Sequence, residues 1–116
     1  MHNSEDGHMA VCLEPCPIEK AMRVIGGKWR ASLLWHLKDG PVRFNELCRI
    51  LGGATKTMID KCLKDLEAHG LVKREVQCER PIAVTYEITE YGRTTLAFLD
   101  ELRRWSEETM KEQEAA

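Results

Sequence analysis

From Arg43 to Gly70 the chain reads RFNELCRILGGATKTMIDKCLKDLEAHG, and no other stretch narrows the choice of folds as far. Two short amphipathic runs meet at Gly52-Gly53, and the second carries Lys56, Lys61 and Lys64 on its polar side. A short helix, a tight turn and a helix with a basic outer face form the layout of a helix-turn-helix reader of DNA. In the second run Thr55 is the expected N-cap, Met58, Ile59, Cys62, Leu63 and Leu66 the expected buried side, and Gly70 the expected C′ residue. The following stretch, LVKREVQCERPIAVTYEIT, alternates with a period of two on either side of Glu79-Arg80-Pro81, which predicts a β-hairpin. A helix-turn-helix followed by a hairpin predicts a winged helix.

The flanks fit that reading. Pro17 suits the first turn of a helix, and Ile18, Ala21, Met22 and Ile25 recur at helical spacing until Gly26-Gly27. A second helix is predicted over Lys28 to Lys38, with Trp29, Leu33, Leu34 and Leu37 inward and Asp39-Gly40-Pro41 ending it. Val42-Arg43 reads as a short third strand, and Phe44 to Leu51 as the first helix of the reader. Thr89 can cap a last helix from Glu90 to about Lys111. Phe98, Leu96, Leu99, Leu102 and Trp105 make that helix apolar over a wide face, more than a chain of 116 residues readily covers, so a second copy is expected on it. The expected fold class is mainly α with a small β-hairpin wing (α+β), a winged helix-turn-helix with a long C-terminal dimerisation helix. The expected organisation is a flexible arm over 1–15, the domain over 16–112 and a tail over 113–116.

The net charge of −2 is unusual for a nucleic-acid binder, but the charge is unevenly placed. Lys28 to Arg80 holds eleven Lys/Arg against seven Asp/Glu, whereas Glu90 to Ala116 holds four against seven. Phosphate binding needs only a local basic face. The expected DNA-contacting residues are Thr55, Lys56, Thr57, Lys61 and Lys64 in the major groove and Lys73, Arg74 and Arg80 on the wing. Lys28, Arg30 and Arg43, beside helix starts, are the expected phosphate clamps. Asp60 has three open roles: accepting from a cytosine amino group, pairing with Lys56 or Lys64, or standing back from the duplex. Double-stranded DNA carrying an inverted repeat and a second copy of the chain are the expected partners. No cofactor is expected.

No apolar run approaches the length of a membrane span, the start lacks a secretion signal, and the five cysteines are odd in number, so a cytoplasmic protein with reduced thiols is expected. An enzyme is not expected, since there is neither a glycine-rich phosphate loop nor a His-Glu metal signature. Two other classes compete. A winged helix can serve as a protein-interaction module without touching DNA. A metal-responsive regulator would use His2, His8, Cys12 and Cys16, although one Cys-x3-Cys with stray histidines is a weak metal signal.

Four stretches in order, CPIEKAMRVIGGKW, DGPVRFNEL, MIDKCLKDLEAHGLVKR and VTYEITEYGR, resemble the HxlR-type family of winged-helix transcriptional regulators, relatives of the MarR group. The resemblance spans Cys16 to about Glu108. It implies a homodimeric regulator, often a repressor, whose helix after Gly53 reads the major groove and whose hairpin meets the minor groove. It also implies that Cys16, the cysteine before the proline, senses oxidants or electrophiles; a disulfide with a second cysteine is an open next step, with Cys48 of the partner subunit as the candidate. A thiol at a helix N-terminus has its thiolate favoured, and only the thiolate attacks electrophiles. The chain departs from the family pattern where the recognition helix opens Thr55-Lys56-Thr57 instead of Ser-Pro-Lys, and at Asp60 and Cys62, which bears on the operator and not on the fold. The family signature gives no role to Cys12 or Cys78.

Overall fold

Leu33, Leu34 and Leu37, Leu47, and Ile59, Leu63 and Leu66 are fully buried, and they come from the three helices that surround one core. The computed structural model describes residues 16–79 and 82–115. Its elements run α1 (Pro17–Ile25), α2 (Arg30–His36), β1 (Val42–Arg43), α3 (Phe44–Ile50), α4 (Lys56–Ala68), β2 (Val72–Glu79), β3 (Ile82–Ile88), α5 (Glu90–Arg93), α6 (Leu96–Arg104), a π-helical turn (Trp105–Met110) and α7 (Lys111–Ala115). The strands form an antiparallel sheet in the order β1-β3-β2, with Val42 opposite Tyr86 and Arg74 also opposite Tyr86. Val72, Tyr86 and Ile88 cover one side of the helical core and Leu99 of α6 closes it. Burying each such side chain contributes about 1.5–3 kcal/mol. The winged helix-turn-helix is therefore present in these residues. His2, His8, Cys12, Arg80 and the side chain of Cys78 lie outside the described residues.

Local chemistry explains the joints. The Thr55 hydroxyl accepts from the Met58 N–H at 3.1 Å and caps α4, and Gly70 leaves it at φ 78°, a left-handed conformation that costs glycine little. The helix-helix turn lies against Trp29: a Cβ at Gly53 would stand 3.2 Å from the indole Cη2. Thr89 caps α5 by accepting from the Gly92 N–H at 2.9 Å, and its hydroxyl donates to the Gly70 carbonyl at 2.6 Å. One side chain thus joins the end of α4 to the start of the C-terminal helices.

Three expectations need correction. The second helix is shorter than Lys28–Lys38, because Gly27 at φ 90° sets Lys28 and Trp29 ahead of it and Leu37 is already its C-cap. The last helix is not one run. Thr94 and Thr95 form tight turns in which the amides bond three residues back, and their hydroxyls donate to the carbonyls of Tyr91 at 2.5 Å and Gly92 at 2.7 Å. Such back-bonding competes with the regular helix ladder. Met58, expected inside, is exposed. The buried stripe of α4 passes through Ile59, Leu63 and Leu66, and Met58 lies at the rim of a hollow shared with Met22, Trp29 and Cys62.

Candidate nucleic-acid interface

Helix α4 presents Thr57, Lys61 and Lys64 to solvent along the side opposite its buried stripe, and Lys56 is exposed at its first residue. The periodicity that sends Ile59, Leu63 and Leu66 inward sends Thr57, Lys61 and Lys64 outward, whereas Lys56, seven residues before Leu63, lies in line with the buried stripe at the open start of the helix. Two carboxylates on the same helix hold two of the lysines. Lys64 pairs with Asp60 at 2.9 Å, one of the roles open to Asp60. Lys61 approaches Asp65 Oδ2 at 3.3 Å. The Asp60 carboxylate raises the Lys64 ammonium above its ordinary pKa, chiefly through that hydrogen bond.

Asp65 is more than a helix-surface acid. Its Oδ2 accepts from Arg30 at 2.7 Å, and the other arm of the same guanidinium donates to the Arg23 carbonyl at 2.9 Å and the Val24 carbonyl at 3.4 Å. Arg30 lies beside Asp65 mainly because α2 packs against α4. The guanidinium is the first cause that holds the Asp65 carboxyl below the usual carboxylate range, with Lys61 adding to it against the opposing effect of burial. Arg30 was expected to clamp phosphate. Instead its donors are turned inward, where they join the end of α1, the start of α2 and the middle of α4. The 35-residue separation of Arg30 from Asp65 hides the pair from any reading of local spacing.

The remaining basic residues are dispersed around α4. Lys28 is exposed, with its ammonium 5.0 Å from the Trp29 ring centre. Arg43 is exposed on β1 and lines a shallow hollow with Asn45 and Ile82. Lys73, at the wing base, pairs with Glu87 at 3.4 Å. Arg74 stands opposite Tyr86 in the sheet, and burial pushes the Tyr86 phenol above the ordinary tyrosine range, opposed by the Arg74 charge.

Cys16 is the half-buried N-cap of α1, directly before Pro17, and its carbonyl accepts the Lys20 N–H at 2.8 Å. Cys48 on α3 and Cys62 on α4 are free, half-buried thiols. Burial pushes both above the ordinary thiol range, opposed by Lys56 at Cys48 and chiefly by Arg30 at Cys62. Among the described residues no three His, Cys, Asp or Glu side chains gather as a metal site.

Among the described residues, α1 and the C-terminal helices present an exposed apolar face. Ile18 (74% exposed) and Met22 on α1, with Phe98, Leu102 (56%) and Trp105 (53%) on the C-terminal helices, line one open hollow with Pro17, Ala21 and Ile25. Helix α1 has no buried residue although its apolar positions recur at helical spacing. Among the described residues no helix is long and apolar enough to cross a membrane.

The chain matches known regulators over most of this architecture. It is 44% identical over 94 residues to the HTH-type transcriptional regulator YybR of Bacillus subtilis, covering 81% of this chain and 75% of that one. Among solved structures it is similar to the redox regulator HypR. Against the reduced form the TM-score is 0.80 at 40% identity, over 86% of this chain and 99% of that one. Against the oxidised form it is 0.75 at 43% identity, over 79% and 95%. Such relatives are regulators of transcription and not enzymes. The model of the HxlR-like helix-turn-helix family matches residues 24–114, and the chain belongs to that family.

Proposed function

We propose that the chain works as a homodimeric repressor that reads an inverted-repeat operator and is switched by oxidants or electrophiles through Cys16. The observation that carries the DNA-binding geometry is the outward row Thr57, Lys61 and Lys64, with Lys56 exposed at the helix start, on a helix whose other side is locked into the core. In this reading α4 enters the major groove, where threonine hydroxyls and lysines meet base edges and phosphates, with Thr55 at its mouth. Lys28 and Arg43 hold phosphates, and Lys73, Arg74 and Arg80 serve the wing. The exposed apolar face of α1 and the C-terminal helices supports a two-fold partner. Such an arrangement sets two copies of α4 about one DNA turn apart.

The redox part rests on the placement of Cys16 and on the likeness to HypR, a redox regulator solved in both oxidation states. With diamide as oxidant, the Cys16 thiolate adds to the N=N bond and a second thiol displaces the adduct. Two thiols lose two electrons and two protons, one S–S bond forms, and diamide leaves as its hydrazine. Cys48 of the partner subunit is the proposed second thiol. Because Cys16 begins a helix of the apolar face, a covalent change there would shift the spacing of the reading helices.

A gel shift against the chain's own upstream DNA, with and without diamide, tests the reading. Wild type is expected to bind and to respond to diamide, and Cys16→Ser to bind without responding. Equal responses would remove the sensing role and leave DNA binding standing. Duplex binding that ignores added salt would favour a protein-interaction module instead.

A further inference from the structure

We infer that Arg30 is a positioning residue for DNA binding: it competes with Lys61 for Asp65 and so keeps Lys61 available to phosphate. Both cations approach the same oxygen, Asp65 Oδ2, Arg30 at 2.7 Å and Lys61 at 3.3 Å. The closer donor is also the better fixed one. Its second arm is held by the Arg23 and Val24 carbonyls at the end of α1, and its side chain is only about a quarter exposed, against three quarters for Lys61. A planar guanidinium held at both ends loses little freedom in keeping its carboxylate. The flexible Lys61 ammonium is then the weaker of two partners and can leave for a phosphate oxygen at low cost. Without the Arg30 charge, Asp65 would have Lys61 as its remaining cation and would hold it against the helix.

This inference rests on α4 being the DNA-contacting helix. It goes further by assigning control of a contact residue to an arginine that faces away from the duplex. It also gives α1 a route to the reader, because the carbonyls that fix Arg30 belong to the helix that Cys16 begins.

The test is a double-mutant cycle read by fluorescence anisotropy on a fluorescein-labelled mixed-sequence duplex, titrated with salt. Arg30→Gln is expected to weaken binding and flatten the slope of log affinity against log salt by up to about 0.9 per subunit, as Lys61→Ala does. Asp65→Asn is expected to tighten binding. In the Asp65→Asn background, adding Arg30→Gln is expected to change neither affinity nor slope. If Arg30→Gln costs the same factor in both backgrounds, the competition is refuted and Arg30 is only a fold contact. A second readout involves no DNA: acetylation of Lys61 by acetic anhydride, followed by mass spectrometry. Labelling is expected to be slower than wild type in Arg30→Gln and faster in Asp65→Asn. That order in a protein that binds no duplex would retain the competition and remove the DNA reading. Equal labelling in all three proteins would overturn the inference itself.

Discussion

Gly92 offers the sharpest check on how the C-terminal helices are mounted. It is buried in α5, and a Cβ built on it would stand 2.2 Å from the Leu71 carbonyl oxygen and 2.7 Å from Ile88 Cγ1. Ordinary contact would require α5 to back away by roughly 1 Å, and the Leu71 carbonyl cannot yield freely because it already accepts the Thr89 N–H at 3.0 Å. Overpacking of this kind costs about 1–3 kcal/mol, and weakening one such hydrogen bond adds about 1 kcal/mol. The better helix propensity of alanine returns about 1 kcal/mol. The net loss for Gly92→Ala is therefore about 1–3 kcal/mol, or a fall in Tm of about 5–20 °C for a domain of this size. Gly52→Ala is the control, since its nearest neighbour would be the Arg49 carbonyl at 3.6 Å and its φ is not positive. Thermal melts followed by circular dichroism, at one protein concentration so that association does not shift the midpoint, measure both. If Gly92→Ala melts within about 2 °C of Gly52→Ala, a difference too small for the overpacking cost, the close seating of α5 on Leu71 is wrong.

Other perturbations separate the remaining parts. Thr55→Ala removes the α4 cap and should cost about 1 kcal/mol in urea unfolding, with Thr55→Asn retaining most of it; equal losses would deny the cap. The Asp65 carboxyl is held below its unfolded pKa, first by Arg30, so its stabilising effect is present above about pH 5 and is lost as pH falls through the folded value. The Tm gap between wild type and Asp65→Asn should accordingly be widest near neutral pH and narrow below about pH 4; a gap independent of pH would contradict the pairing. Leu102→Glu places a charge in the exposed apolar face, so sedimentation should show a monomer where wild type shows a dimer, with the circular dichroism spectrum unchanged; an unaltered dimer would locate the interface elsewhere.

Most of the architecture was legible before any coordinates. The helical run of α4, the two strands of the hairpin, the caps at Thr55 and Thr89 and the stop at Gly70 are signals carried by neighbours in the chain, and each of these elements stands where expected. The outward placement of Thr57, Lys61 and Lys64 was legible for the same reason, because fixing the buried face fixes its opposite. The errors arose where distant residues compete. Met58 was read into the helical period, but the elements packed on α4 bury Ile59, Leu63 and Leu66 and leave Met58 about half exposed. Arg30 reads as a phosphate clamp until α2 packs on α4 and Asp65 takes its guanidinium. The interruption at Thr94 and Thr95 depends on hydroxyls that either point to solvent or bond backward, a choice that apolar periodicity does not encode.

The order of hydrophobic and turn residues by itself determined a helix-turn-helix with a hairpin and a basic outer face, since periodicity and capping act within a few residues. Only the tertiary structure decided which cations stay exposed and which are paired between helices, as Arg30 is with Asp65, and which apolar residues remain at the surface. Those outcomes depend on distances between segments far apart in the chain, and such distances exist only once the core has closed.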